Sequence, residues 1–420
     1  MMNINRNKQS LKLIDYITFI VTMFFIAYYF LKLFGFFIDA ITFVIPLFVA
    51  VGYIFLSMNW TRKVVGYIFG IIALITGVVL VELFCTENSN FIAFISMFVQ
   101  LLMNVFPLYL VYNILKTKNR KFIAWILATA GIVLAYVLIL TFSELQKDDQ
   151  FMREVGINYT NYQEYNTTNA GGYQFAYAMA VMVGLLISLF LLDYKKYNKL
   201  KKSGWLLALI ATFLLVLNSS YTLALMICII SIFIAITLKM KKTTTRFIFW
   251  ALGIIAFFLI LYMSDWIIAL MPTGEMKLRF SEVFTFLKSG DASGYNLNGR
   301  LTLYWKSIKS FFKSPFIGNV TLDFDPHSSI LRFFARDGIL GGMGYILLYY
   351  FGYHIITKYF ITERQKKLFV PVFISIILMG LVNPIHSVGA VHYVAFFIAP
   401  LALNLIDNNE EKVNETSLGN

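Results

Sequence analysis

The sequence predicts an all-α, polytopic integral membrane protein with about 12 transmembrane helices. Three observations carry that prediction. First, 59% of the residues are hydrophobic, only 14% are charged, and the mean hydropathy is +0.73. A chain of 420 residues with so little polar content cannot clothe a water-soluble globule. Second, the apolar residues gather into runs near the roughly 20 residues that a helix needs to cross a hydrocarbon core. Third, lysine and arginine fall in alternate loops between those runs, as short cytoplasmic loops retain cations.

In order, the runs cover 13–33, 38–57, 64–84, 91–115, 122–142, 172–192, 204–218, 221–238, 247–270, 338–357, 368–385 and 389–406. The first has no small-residue cleavage site and is followed at once by further apolar sequence, so it reads as a retained anchor. The seventh and eighth touch at Asn218-Ser219-Ser220-Tyr221, where the count is open. Arg6, Lys8 and Lys12 precede the first run, and every second loop afterwards is basic: Arg62 and Lys63; Lys116 to Lys121; Lys195 to Lys202; Lys239 to Arg246; Arg364 to Lys367. The intervening loops hold acidic residues such as Asp39, Glu82, Glu87, Glu144 and Asp148. Both termini are therefore expected in the cytoplasm, and the net charge of +13 reflects this bias rather than a nucleic-acid partner. Residues 1–406 read as one transmembrane domain, followed by a polar, acidic, disordered cytoplasmic tail at 407–420. Cys85 and Cys228, both in or at the ends of membrane runs, offer neither a disulfide framework nor a cysteine metal site.

Two outward loops, 143–171 and 272–327, exceed the usual length of a connection and mark function. In the first, Tyr159, Tyr162, Tyr165 and Tyr173 stand among Asn and Gln side chains, a composition suited to stacking on and hydrogen bonding to sugar, or simply to a solvated loop. The second breaks the charge rule, with Lys277, Arg279, Lys288, Arg300, Lys306, Lys309 and Lys313 on the side that normally lacks cations. An anionic partner outside explains them. Within it, Arg300 to Ser314 reads as an amphipathic helix capped by Asn298 and stopped by Pro315. Leu301, Trp305, Ile308 and Phe312 fall on one side and the lysines on another, the pattern of a helix lying in the headgroup plane, where lysines meet lipid phosphate.

Arginine is a different matter, because its planar five-donor fork matches paired phosphate oxygens. Arg300 and Arg279 are thus candidates to hold a pyrophosphate, and Arg332 and Arg336 follow one helical turn apart; interfacial snorkelling is the competing reading. Of the four histidines, His354 and His392 lie within membrane runs and read as structural. His327 and His386 project outward, and His327 adjoins the cationic loop, placed to take a proton from an attacking hydroxyl. Metal-ligand spacings, phosphate-binding loops and Gly-x-Ser-x-Gly are absent, and no cofactor is expected.

Taken together, Arg279-Phe280-Ser281, Arg300, Trp305, Ser314-Pro315-Phe316-Ile317-Gly318, Pro326-His327-Ser328-Ser329 and Asp337-Gly338-Ile339-Leu340-Gly341-Gly342 resemble the signature of the O-antigen polymerase and O-antigen ligase family. The match covers about 65 residues strongly and the whole topology loosely. The resemblance implies a metal-independent, membrane-embedded glycosyltransferase of GT-C-like architecture in the bacterial cytoplasmic membrane. Its donor would be an undecaprenyl-pyrophosphate-linked glycan on the outer face, with membrane lipid, a chain-length regulator and a flippase as partners. By position, Arg300 resembles the family arginine that holds pyrophosphate, and His327 the general base or acceptor-binding histidine. Arg279 matches a weaker family arginine, and Trp305 the family tryptophan. Family members often carry Ser-Arg where this chain has Ser220-Tyr221, so Tyr221 stands at a substrate position without the charge, and Arg332 and Arg336 are the candidates to compensate. The expected reaction is polymerisation of lipid-linked repeat units, with ligase-type transfer, a flippase of the same glycan, and a membrane acyltransferase as alternatives.

Overall fold

The computed structural model describes residues 13–31, 39–57, 62–85, 91–117, 119–148, 150–152, 169–192, 199–219, 221–271, 274–290, 295–319, 327–359, 362–385 and 388–407. Among these residues every regular element is a helix and there is no strand. In chain order the helices are α1 (Leu13–Phe30), α2 (Asp39–Ser57), α3 (Arg62–Cys85), α4 (Phe91–Lys116), α5 (Arg120–Lys147), α6 (Tyr173–Leu192), α7 (Lys199–Asn218), α8 (Thr222–Lys239), α9 (Thr243–Tyr262), α10 (Ser264–Leu270), α11 (Glu275–Ser289), α12 (Tyr295–Lys313), α13 (Ser329–Tyr359) and α14 (Glu363–Val382). The last, α15, is continuous through Gly389–Tyr393, a π turn at Val394–Ile398, and Ala399–Asp407. The π turn has a covalent cause: Pro400 lacks the N–H that would bond to Phe396, and the Ala399 N–H reaches back to Val394 instead.

Seven of these helices are long and apolar enough to cross a membrane: α1, α5, α6, α8, α9, α13 and α14. Shorter apolar helices occupy the other predicted runs, at Val44–Ser57, Gly66–Leu80, Leu101–Lys116, Lys202–Asn218 and Gly389–Leu405. The junction at Asn218 to Tyr221 separates two helices, α7 and α8. The run expected at 247–270 is divided at Met263 into α9 and α10. The outward loop predicted over 272–327 holds two helices rather than one, α11 and α12. The tail at 408–420, the loop tyrosines Tyr159, Tyr162 and Tyr165, and His386 lie outside the described residues.

The helix ends sort into two groups. At one end, Phe19 of α1 meets Phe122 of α5 (centroids 6.2 Å apart), and Arg120 donates to the Leu405 carbonyl of α15 at 2.9 Å. Gln365 of α14 donates there to Leu403 at 2.6 Å, while its Oε1 and the Thr362 hydroxyl form a reciprocal cap on the start of α14. α1 therefore starts and α15 finishes at the same end, beside Arg120, Lys121, Arg364, Lys366 and Lys367. At the opposite end, Gly171 donates to the Thr141 hydroxyl (2.7 Å), Phe30 packs against Phe175 and Tyr393, and Ser329 bonds to Asn383. This end carries α10, α11 and α12.

α6 is the central helix, with 83% of its apolar window buried against α7, α8, α14 and α15. Small residues let the backbones approach: the Cβ position of Gly184 lies 3.4 Å from the Pro371 carbonyl, and Ser231 of α8 bonds to Ser375 of α14 at 2.6 Å. By contrast α9 has no buried residue and is tied to the bundle through Phe233 of α8, which stacks on Phe249 at 4.4 Å and meets Trp250 edge-on at 4.7 Å.

One lock orients the whole α12–α13 connection. Gly338 (φ 64°, ψ −162°) breaks α13 into an outer piece and a long span, which is why the apolar run begins only at 338. Gly318 (φ 83°) ends the turn Pro315 to Ile317, and the two glycines lie against each other's backbone. Ile339 N–H donates to the Pro315 carbonyl (2.7 Å), and Asn319 N–H to the Ala335 carbonyl (2.9 Å). A Cβ on Gly318 would lie closer than 3.0 Å to the Arg336 carbonyl, and one on Gly338 equally close to that of Phe316. Both also sit in the left-handed region where a side chain costs about 1–2 kcal/mol. Gly318→Ala is accordingly expected to lower the thermal unfolding midpoint and the folded yield in detergent, whereas Gly131→Ala, which meets nothing within 4 Å in α5, leaves both unchanged.

Candidate functional site

The end of α14 supplies the anchor. Pro384 stops the helix, and the residue before it, Asn383, is extended (φ −144°, ψ 155°). A helix end leaves carbonyls without intrahelical partners, and here they are buried. The sequence answers them from two other elements. Tyr304 of α12 donates its hydroxyl to the Val382 carbonyl at 2.9 Å. Ser328 donates to Gly380 at 3.2 Å, and Ser329 donates both its N–H (3.0 Å) and its hydroxyl (3.2 Å) to Asn383. The Ser328 hydroxyl also accepts from Leu331 N–H at 3.2 Å, capping the start of α13.

Arg300 and His327 are the two residues expected to carry catalysis, and Arg300 and the residues directly after His327 thereby meet at the same helix end. Arg300 lies one turn before Tyr304, and its Nη1 donates to Asn383 Oδ1 at 3.5 Å. Burial raises the Tyr304 phenol above its ordinary range, and the adjacent Arg300 charge and hydrogen bond oppose that rise. His327 immediately precedes Ser328 and Ser329 and is half-buried. Its backbone is left-handed (φ 50°), the only positive φ of a non-glycine residue among those described. Such a conformation costs energy and persists where surrounding bonds over-determine it, as the serines do here.

α12 itself departs from expectation. It starts at Tyr295, so Asn298 lies inside the helix and does not cap it; Lys313 ends it just before Pro315, as predicted. Its packed face is not the Leu301-Trp305-Ile308-Phe312 stripe. Buried Ser307 and Ser310, half-buried Tyr304, and Phe311, whose ring meets Phe334 edge-on at 5.5 Å, face the protein instead. Trp305 is 62% exposed and Phe312 73%, on the side that also presents Lys309 and Lys313. Polar caps on α14 decide which face turns inward, and the apolar stripe is left to the surroundings.

The remaining candidates have structural engagements of their own. Arg279 of α11 pairs with Glu282 at 3.3 Å. Arg332 and Arg336 are one turn apart on α13, both half-buried, and the Arg336 guanidinium lies 3.6 Å from the buried Asp337 carboxylate at the Gly338 kink. Tyr221 enters an aromatic cluster with Tyr173 (5.5 Å) and Tyr177 (5.6 Å) and donates to the Met152 carbonyl at 3.1 Å. Lys288 pairs with Asp265 at 2.8 Å. No group of three or more His, Cys, Asp or Glu side chains that could hold a metal ion forms among the described residues.

Sequence reasoning missed the support beneath the site. Tyr345 and Tyr349, one turn apart on α13, bond hydroxyl to hydroxyl at 2.7 Å, and Tyr349 reaches His392 Nε2 at 2.6 Å. His392 Nδ1 lies 3.0 Å from the Val388 carbonyl, which can only accept; the proton is therefore on Nδ1, and Nε2 accepts from Tyr349. At its other end the chain touches Ser329, whose hydroxyl also interacts with Tyr345. His392 is structural, as expected, and 1% exposed. The available signal was two tyrosines four residues apart in an apolar run, since polar tips inside a span need partners.

Comparison with protein-family models and with curated proteins gave no match.

Tyr349→Phe leaves Nε2 of His392 without its donor in a buried site, an orphan that costs about 1–3 kcal/mol, while removing both partners is nearly neutral. The thermal midpoint of Tyr349→Phe is therefore expected to fall, and that of the Tyr349→Phe/His392→Leu pair to fall less than the sum of the single changes.

Proposed function

We propose that this protein polymerises undecaprenyl-pyrophosphate-linked oligosaccharide repeat units into capsular, exo- or O-antigen polysaccharide at the outer face of the bacterial cytoplasmic membrane. The single observation that carries the reading is the convergence on Asn383: Arg300 bonds to its side chain and the segment directly after His327 bonds to its carbonyl. A cation suited to phosphate, and the segment that directly follows an imidazole suited to proton transfer, thus share one anchor. The five shorter apolar helices are read as spans alongside the seven long ones, giving about 12, and the end rich in arginine and lysine as cytoplasmic. On that orientation the Asn383 end faces outward.

The reaction is a displacement at the anomeric carbon. A hydroxyl of the acceptor sugar forms the new carbon–oxygen bond, and its proton passes to His327. The bond from the anomeric carbon to the pyrophosphate oxygen breaks, and its electron pair leaves with the lipid pyrophosphate. Arg300 stabilises the negative charge that grows on that leaving group, where a preorganised donor contributes most. Arg332 and Arg336, one turn apart on α13, add positive potential beside the site. Transfer to a different acceptor glycan, the ligase reaction, would use the same groups.

Two measurements test the reading. A cysteine introduced as Ser289→Cys is expected to react with a membrane-impermeant thiol reagent in intact cells; failure to react in a folded variant removes the outward orientation and the mechanism with it. His327→Ala is expected to abolish polymer, a loss of about 10²–10⁴ in rate, while single lipid-linked repeat units still accumulate on the outer leaflet. Units trapped on the inner leaflet would indicate a flippase, and unchanged long polymer would remove His327 from the chemistry.

A further inference from the structure

Asn383 is 2% exposed, yet its Nδ2 has no hydrogen-bond partner. A buried amide donor left unsatisfied is rare and asks for an explanation. Rotating the amide does not supply one. Arg300 carries donors only, so the atom facing it is the oxygen, Oδ1, and Nδ2 is directed elsewhere by that pairing. The nearby carbonyls already hold donors of their own. The Val382 carbonyl is taken by Tyr304, the Gly380 carbonyl by Ser328, and the Asn383 carbonyl by Ser329 and by Ile385 N–H at 2.9 Å. The Arg300–Asn383 contact is also long, at 3.5 Å, so an anionic oxygen would be a better acceptor for the guanidinium than the amide.

We infer that Asn383 is a ligand-binding residue of this site, its Nδ2 donating to a phosphate oxygen of the pyrophosphate that Arg300 holds. The inference rests on the reading of Arg300 given above and adds the neutral donor beside the cation. One phosphate group then engages both residues: Arg300 has N–H donors to spare for an anionic oxygen while Nη1 keeps Oδ1, and the orphaned amide gains an acceptor. Such a donor is preorganised, since Pro384 and the bonds to the Asn383 backbone fix the residue before any ligand arrives. The same arrangement selects against a neutral ligand, which Arg300 would bind less strongly.

Asn383→Asp separates this role from a structural one, because the two predict opposite changes. A carboxylate would pair better than an amide with Arg300 and carries no orphaned donor, so the fold keeps or gains thermal stability. Facing a phosphate, it repels. With the purified full-length protein in lipid nanodiscs and undecaprenyl pyrophosphate as the probe, Asn383→Asp is expected to keep or raise the thermal midpoint and to weaken binding at least about tenfold, a smaller effect than the roughly 10²–10³ that loss of one preorganised donor typically costs in rate. Asn383→Leu, which removes the donor without adding charge, is expected to weaken binding as well and serves if the aspartate variant does not fold. Native-like binding by either folded variant, with Arg300→Gln defective, overturns the assignment of Asn383 and leaves that of Arg300 standing. If the unaltered protein and Arg300→Gln bind the probe equally, the pyrophosphate reading of Arg300 is itself wrong.

Discussion

The carbonyls at the end of α14 are the constraint on which the site depends. In water a helix can leave its last carbonyls to solvent; buried, each must find a donor from elsewhere in the chain. Tyr304, Ser328 and Ser329 supply those donors, and they do so from the two segments that carry Arg300 and His327. The need to satisfy backbone polarity thus also performs the assembly. The hydrogen bonds of Tyr304, Ser328 and Ser329 place the segments that carry Arg300 and His327.

The glycine lock gives that arrangement its rigidity. Gly318 and Gly338 let two backbones touch where any Cβ would intrude, so the turn after α12 and the kink in α13 become one unit. The kink turns Ser329 to Asp337 away from the direction of the span, carrying His327 at its start and Arg332 and Arg336 along its length. Beneath it, Tyr345 and Tyr349 of the long span tie α13 to His392 of α15, and Tyr345 also interacts with Ser329 of the kinked piece. A cluster of charged and strained groups is held this way by elements with little freedom to relax, the condition under which a left-handed histidine persists.

Electrostatics and packing divide the work between the two faces of α12. The inward face is polar at Arg300 and Tyr304, which meet the end of α14, and small at the buried Ser307 and Ser310, beside Phe311 against Phe334 of α13. The outward face carries Trp305 and Phe312 with Lys309 and Lys313 beside them. Aromatic rings interleaved with lysines suit the headgroup layer, where the ring is half-immersed and the ammonium meets phosphate. The helix is therefore amphipathic in an unusual sense, with its hydrogen-bonding side turned in.

The sequence by itself determined the class and the layout: its apolar runs correspond to helices, and its basic loops at Arg120 and at Arg364 to Lys367 fall at one end of the bundle together with the start of α1 and the finish of α15. These follow from local composition and length, which a chain displays residue by residue. It also singled out Arg300 and His327, because charge in an apolar chain is legible without partners, whereas Gly318 and Gly338 entered only as part of the family resemblance. What only the tertiary structure decided is which partners they meet. Asn383, Tyr304, Ser328 and Ser329 are ordinary polar residues in sequence; the last three enter the site by the backbone carbonyls they reach across 50 to 80 positions, and Asn383 as an acceptor that Ser329 and Arg300 meet. The inward face of α12 was hidden for the same reason: periodicity identifies an apolar stripe, but a helix turns toward whatever partner it satisfies best, and here that partner is the open end of α14.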